Sequence, residues 1–282
     1  MVSIGACPVK VYLVTDLEGV SGVSGFDVRD SNLPQDVELR RQWSQLWIAE
    51  VNAAVSGAVA AGATQILVID NHGPGDTLPA ERLASPARLL HGGRRASWLA
   101  GLDEDFDAVL IIGQHAMAGA EGGHLRHTYS RRRLERVSLG TEEIGEIGLI
   151  VGIAGEVGVP VVFLSGDLAA TKEISNLVEG VETAAVKRGV SKTCCVSLAP
   201  EQSRDLICRG VERALKRRDQ ILPRRLDASR EIRLRYNSAC AWRALARRLR
   251  GGAGLGWRPP RELCARGETL RQAWDRAIGL KG

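Results

Sequence analysis

The sequence predicts an α/β fold, with a mostly parallel sheet that carries helices on both faces. In the first half of the chain, short β-branched runs alternate with amphipathic stretches, which is typical of parallel strands joined by helical crossovers. The predicted strands are also nearly continuous in apolar residues, as strands covered on both sides must be. With 282 residues, of which 44% are hydrophobic, the chain is long enough to bury a large core.

Each element of this part is predicted from its own pattern. One long helix or two are expected over residues 34–61, with Trp43 and Trp47 on one apolar stripe, and Gly62 ends the helical pattern. The segment 145–156 is apolar and rich in glycine and isoleucine, which favours another helix. Strands are expected at 9–14, 65–69, 108–113, 136–140, 160–164 and 183–186, and a further helix at 200–216.

The last part of the chain differs from the rest in composition and sequence pattern, which predicts a second domain. Residues 223–225 have the composition of a linker, and a strand at 231–236 and helices at 241–249 and 268–278 are expected after it. We therefore expect an α/β domain over residues 1–222 and a small, Arg-rich α+β domain over residues 223–282.

Composition and cysteine spacing predict the compartment. The apolar stretches are far shorter than the ~20 residues of a membrane span, and the first residues lack a basic leader followed by an apolar run. The six cysteines have no C-x-x-C spacing, which excludes a Cys-rich metal site and suits free thiols in a reducing compartment. We expect a cytoplasmic protein with no membrane partner.

Acidic and imidazole side chains follow three of the predicted strands, at the point where each strand ends. Asp16 and Glu18 follow the first strand, His72 follows the second, and His115 follows the third. Either histidine taken alone could be a solvated loop residue. Together they predict a metal site, because ligands of open α/β sheets bind outside the carboxyl ends of the strands.

The kinds of ligand in this cluster indicate which metal it would hold. Imidazole and carboxylate ligands without thiolate favour Zn²⁺, with Mn²⁺ and Co²⁺ as alternatives. Two neighbouring carboxylates repel each other unless cations lie between them, which favours two ions that share a bridging carboxylate. The pattern therefore favours a two-metal hydrolase, with the metals in the domain over residues 1–222.

The same segments resemble a known family, the zinc-dependent D-aminopeptidases encoded with bacterial dipeptide transporters. The family motif Ser-x-Asp-x-Glu-Gly, followed by an apolar residue, Ser and Gly, is similar to the run from Thr15 to Gly22. Its Asn-Asp-Ser-His segment is similar to residues 69–72, and its Gly-Tyr-His-Ala segment to residues 113–116. The resemblance covers nearly the whole chain and becomes loose from about Ser238 onward.

The resemblance adds two residues to the site. Glu146, in Gly145-Glu146-Ile147-Gly148-Leu149, falls on the family's fifth metal ligand. A histidine that lies near the metals in the family falls on His127, with His124 as the competing candidate. Asp70 and Asp167, at the ends of two predicted strands, are candidates for carboxylates that orient the metal-binding imidazoles, although either could instead cap a helix.

The resemblance implies a metallopeptidase that removes an N-terminal amino acid, such as D-alanine, from short peptides. In the hypothesis that follows from it, Asp16 bridges two zinc ions, and a water between them attacks the scissile carbonyl. His127 would stabilise the oxyanion or protonate the leaving amine. Glu18, His72, His115 and Glu146 would complete the ligand shells. Family members form ring-like homo-oligomers, so the resemblance implies the same assembly here.

Two other functions remain open at this point. One keeps the metals and changes the reaction to that of another two-metal hydrolase, an amidase or a phosphoesterase. The other is an Arg-rich nucleic-acid-binding protein with a relict site, since the net charge is +5 and basic runs occur at 131–133, 216–218 and 243–250. Nucleic acid is the disfavoured partner because aromatic residues, at 4%, offer few platforms for base stacking.

Overall fold

The computed structural model describes residues 8–93, 95–227, 231–250, 255–258 and 261–280. In chain order the strands are β1 (Val9–Thr15), β2 (Ala63–Asp70), β3 (Arg88–Leu90), β4 (Ala108–Gln114), β5 (Leu134–Leu139), β6 (Glu142–Glu143), β7 (Val161–Asp167), β8 (Glu182–Ser191), β9 (Cys194–Ser197), β10 (Ile232–Tyr236), β11 (Leu255–Arg258) and β12 (Glu262–Ala265). The helices are α1 (Pro34–Ala60), α2 (Glu146–Glu156), α3 (Leu168–Leu177), α4 (Pro200–Lys216), α5 (Ala241–Arg250) and α6 (Leu270–Ile278).

The larger sheet has seven strands in the order β3-β2-β1-β4-β7-β8-β9. All pairs in it are parallel except β8 with β9. Every side chain of β4 and β7 is buried, so both faces of the sheet centre are covered. The predicted α/β fold with a mostly parallel sheet is therefore confirmed.

The helices cover this sheet in two groups. Helix α1 packs against α4, while α2 packs against α3 and α6. The predicted first helix is a single element, and both of its tryptophans, Trp43 and Trp47, are buried. The indole N–H of Trp47 donates to Thr15 Oγ1 (2.5 Å), which ties the helix to the carboxyl end of β1. Within the described residues, no helix has the length and apolar character needed to cross a bilayer.

The carboxyl ends of β1 and β4 lie side by side at the centre of the sheet. The chain continues from β1 to β2 on one side and reaches β4 on the other, which makes this the switch point where α/β sheets open a crevice. The amide of Asp16 donates to Ile112 (2.9 Å), and the amide of Gly19 donates to Gly113 (2.7 Å). A Cβ on Gly19 would collide with the Gln114 carbonyl, so glycine allows the two loops to touch.

The second sheet is antiparallel, with the order β11-β12-β10-β5-β6. Two of its strands, β5 and β6, come from the first 222 residues. The register of β10 on β5 runs from Ile232 opposite Leu139 to Tyr236 opposite Leu134. The proposed division of the chain at residue 222 stays a prediction, and such a boundary would cut this ladder between β5 and β10.

Candidate active site

The loops at the carboxyl edge of the large sheet bring the predicted ligands together. Asp16 follows β1, His72 follows β2, and His115 follows β4, while Glu18 lies in the turn after Asp16. Glu146 is the first residue of α2, which approaches the same edge. All five side chains are buried, with at most 7% of each residue exposed. The structure therefore brings the four residues named from strand ends, and Glu146, to one edge of the sheet.

The two carboxylate oxygens of Asp16 face different neighbours. Oδ1 lies 2.9 Å from Nδ1 of His72, and Oδ2 lies 3.3 Å from Nε2 of His115. Glu18 Oε2 is 3.0 Å from the same His72 nitrogen. Glu146 Oε1 is 3.3 Å from the same His115 nitrogen. Asp16 therefore stands between a first group, formed with Glu18 and His72, and a second group, formed by His115 and Glu146.

The hydrogen bonds of the imidazole rings test whether these groups fit a metal. Nδ1 of His115 lies 2.9 Å from the Ala116 carbonyl oxygen, which can only accept, so Nδ1 carries the proton of the neutral ring. The lone pair of Nε2 then faces the oxygens of Asp16 and Glu146, which are acceptors too. A cation between acceptors that converge on one buried space stabilises them, and this set of ligand atoms fits one.

Buried atoms without partners support the same conclusion. Among the described residues, Glu18 Oε2, His72 Nε2 and His115 Nε2 are buried and make no hydrogen bond. Burial raises the pKa of Asp16, but the close approach of the His115 and His72 imidazoles outweighs it and holds this pKa well below its ordinary value. The carboxylate is thus in its charged form, the form that binds metal.

His127 lies beside the second group. Its ring stacks on that of His115, with centroids 3.9 Å apart and an angle of 17° between the planes. Its Nδ1 lies 2.8 Å from the carbonyl oxygen of Leu125, so Nε2 is the nitrogen that presents a lone pair in the neutral ring. One potential ligand atom each from His115, His127 and Glu146 lie within 4.8 Å of one another. Burial, followed by the charge of His115, lowers the pKa of His127.

The competing candidate, His124, lies elsewhere. Its backbone amide donates to Asp167 Oδ2 (2.7 Å), and its ring is not among the described groups that could hold a metal. Asp167 Oδ1 accepts from Ala170 (2.7 Å) and caps α3. The carboxylate of Asp167 therefore contacts backbone amides, which is the helix-capping alternative raised by the sequence.

Asp70 also binds the backbone. Its carboxylate accepts from the amides of Thr77 (2.7 Å), Leu78 (2.9 Å) and His72 (3.2 Å), so it fixes the loop that carries His72. The second nitrogen of the His72 ring faces Asp27 Oδ2 instead, at 3.7 Å. Asp27 lies in an irregular segment, where no periodicity in the sequence signals a site residue.

Lys187 is a further residue that sequence patterns did not single out as part of the site. Its side chain is buried, and its ammonium donates to the carbonyl oxygens of Glu18 and Val23 (2.7 Å to Val23). Burial lowers its pKa to about 8. Lys187 thus anchors the loop that carries Glu18 to β8.

A cavity of about 770 Å³ lies over these residues. Asp16, Glu18, His72, His127 and Glu146 form part of its lining. Five arginines line it as well: Arg29, Arg95, Arg131, Arg132 and Arg133. The cavity therefore combines buried carboxylates and imidazoles with a cationic border, which suits a small substrate that carries both an amine and an anionic group.

Glu50, behind this site, gives a testable pH dependence of stability. It is buried, accepts from the amide of Ser21 (3.0 Å), and burial raises its pKa from 4.5 to about 7. An acid whose folded pKa is raised costs stability as the pH rises from its unfolded value towards the folded one. We expect Glu50→Gln to gain up to about 3 kcal/mol of unfolding free energy relative to wild type between pH 5 and pH 8.

Urea titrations at the two pH values measure this gain. Glu104→Gln, at an exposed position, is the control and should follow the wild type at both. An equal difference between Glu50→Gln and wild type at pH 5 and pH 8 would show that the carboxyl of Glu50 does not titrate differently on folding.

The fold and the site define the chain as a metal-dependent hydrolase of the α/β class. Residues 9–249 match the model of peptidase family M55, described as D-aminopeptidase. The D-aminopeptidase of Bacillus subtilis (strain 168) is 32% identical over 222 residues, which cover 76% of each chain. The chain belongs to the D-aminopeptidase family, and it is a metal-dependent aminopeptidase. The predicted family and enzyme class are confirmed.

A solved structure of a D-aminopeptidase has a similar fold. It is described as the Zn-dependent D-aminopeptidase DppA from Bacillus subtilis, a self-compartmentalizing protease. The two structures have a TM-score of 0.85 at 25% sequence identity, and the match covers 96% of each chain. The match therefore includes the C-terminal part, where the sequence resembles the family only loosely.

Proposed function

We propose that the chain hydrolyses the peptide bond after an N-terminal D-amino acid of short peptides, with two zinc ions at the site. The observation that carries this proposal is the position of Asp16, whose two oxygens face two separate groups of ligand atoms. A carboxylate in this position suits a bridge between two cations. The family supports the reaction, and the zinc dependence of the Bacillus relative supports the metal.

The residues divide between the two ions by proximity. Asp16 would bridge them, with Glu18 and His72 on one ion and His115 and Glu146 on the other. Mixed imidazole and carboxylate ligands suit zinc. When bound, the ions would polarise the scissile carbonyl and make a water nucleophilic at neutral pH.

Other groups of the protein transfer a proton and hold the ligand residues in position. His127, whose ring stacks on that of His115, takes a proton from the attacking water at Nε2 and passes it to the leaving amine. The carbonyl of Ala116 fixes the ring of His115, and Asp27 faces the outer nitrogen of His72. Lys187 holds the loop of Glu18 in place. A substrate needs only to enter a preformed arrangement of groups.

The assembly and the compartment are part of the proposal. The Bacillus relative is described as self-compartmentalizing, which supports a homo-oligomer of this chain, and we propose a ring that encloses the sites. The five cysteines in the described part of the chain are free thiols. Free thiols are typical of a reducing compartment, which supports a cytoplasmic location.

The first test combines metal content with substrate choice. Elemental analysis of gently purified protein should give about two zinc ions per chain. D-Ala-D-Ala should be hydrolysed in preference to L-Ala-L-Ala, and a chelator should abolish this activity until zinc is restored. Hydrolysis of phosphodiesters or of simple amides with no action on D-dipeptides would favour another two-metal hydrolase. Lack of bound metal after reloading, with salt-sensitive DNA binding, would favour the nucleic-acid function.

A further inference from the structure

Two arginine side chains pack closely against glycines in the loop that carries His72. Gly73 and Gly75 both have positive φ, at 53° and 78°. A Cβ on Gly73 would collide with the guanidinium of Arg29, and a Cβ on Gly75 would collide with that of Arg95. Each glycine therefore makes room for a guanidinium group beside the loop that carries His72.

The two cations differ in their partners. Arg29 Nε donates to Asp27 Oδ2 (2.6 Å), so its charge is compensated. Arg95 makes no ion pair within the described chain, and its Nη1 is buried without a hydrogen-bond partner. Two other arginines of the cavity also have partners. Arg132 pairs with Asp30 (3.1 Å), and the guanidinium of Arg131 lies 4.3 Å from the centre of the Phe26 ring.

Arg95 is half-buried, and leaving its buried Nη1 without a partner is costly, so a ligand of opposite charge that binds there removes this cost. Several N–H donors of a guanidinium point outward in a planar fork, which matches the two oxygens of a carboxylate. Arg95 lines the same cavity as Asp16 and His127. The chemistry of this position is therefore that of a carboxylate subsite within the active-site cavity.

The loop that carries His72 also brings Arg95 close to the first group of ligands. The amide of Gly75 donates to the carbonyl of His72 (3.0 Å), so the guanidinium of Arg95 lies within one turn of that metal-site residue. An extended dipeptide spans about 7 Å. Because Asp16, His72 and Arg95 line the same cavity, a dipeptide bound there has room to present its amine end to the ligands and its carboxylate to Arg95.

We propose that Arg95 binds the C-terminal carboxylate of the substrate and so selects dipeptides and other very short peptides with a free terminus. The proposal rests on the aminopeptidase function proposed above. It makes Arg95 a specificity residue, because it contacts a part of the substrate that does not react. The carboxylate keeps its charge throughout hydrolysis, so this contact serves binding of substrate more than the chemical step.

The test compares D-Ala-D-Ala with its C-terminal amide, which removes the negative charge and leaves the scissile bond intact. For the wild type we expect kcat/KM to be about 10- to 100-fold higher for the acid, as for a charge-assisted hydrogen bond. Arg95→Gln should bring this ratio close to one, mainly through KM, and Arg95→Lys should give an intermediate ratio. Arg41→Gln, an exposed position on α1, should keep the wild-type ratio.

Four results would overturn the proposal. In the first, the acid-to-amide ratio of Arg95→Gln equals that of the wild type. In the second, both Arg95 variants lose acid and amide hydrolysis equally, which indicates a structural role. In the third, the preference disappears in Arg131→Gln but not in Arg95→Gln. Failure of the wild type to cleave either peptide would overturn the proposed function as well, which separates the two failures.

Discussion

Asp16→Asn is expected to reduce the metal content of the purified protein and to lower kcat/KM at least about 10³-fold. The two oxygens of Asp16 face two groups, so the loss of its charge weakens both metal positions together. Asparagine keeps the size of the side chain, which protects the packing of this buried position. Elemental analysis together with hydrolysis of D-Ala-D-Ala measures both effects.

The matched control is Asp105→Asn. Asp105 is exposed and forms an ion pair with Lys10 at the opposite edge of the sheet, so its activity and metal content should equal those of the wild type. A variant Asp16→Asn that retains two metals per chain and loses less than about tenfold in activity would refute the bridging role.

His127→Gln is expected to lower kcat by about 10² to 10⁴-fold while the metal content stays at the wild-type value. This is the size of effect seen when a general acid–base group is removed. Metal content must be measured separately from kcat, because His127 lies close enough to His115 and Glu146 to serve as a ligand. Single-turnover rates with D-Ala-D-Ala measure the chemical step directly.

His91→Gln serves as the control for this substitution, since His91 is exposed. If His127→Gln loses one metal per chain in parallel with its activity, His127 is a ligand and the proton must be carried by another group. If both metal content and kcat stay unchanged, the side chain has no part in the reaction.

The strands and the first candidate ligands could be placed from the sequence because they depend on local rules. Continuous apolar runs mark doubly covered strands, and parallel strands bring their carboxyl ends to one edge. This reasoning found Asp16, Glu18, His72 and His115 from their positions after strands. Shorter elements were missed: β3 has three residues, and β9 is an edge strand with exposed side chains, so neither has a long apolar pattern.

The other site residues could not be predicted from pattern because long-range packing places them. Glu146 opens an apolar helix, and only the resemblance to a family pointed to it. Asp27 and Arg95 lie in irregular segments and reach the site through the loop of His72. Lys187 reaches the loop of Glu18 across 169 residues of sequence. No local period encodes contacts of this kind.

The pairing of β5 with β10 has a consequence for the order in which the enzyme folds during its synthesis. The polypeptide between His127 and Glu146 includes β5 and β6, and their main partner in the second sheet is made from the final segment of the chain. On the ribosome, β10 and β12 emerge long after the proposed metal ligands have been synthesised. The nascent chain therefore carries every proposed ligand before the second sheet can be completed.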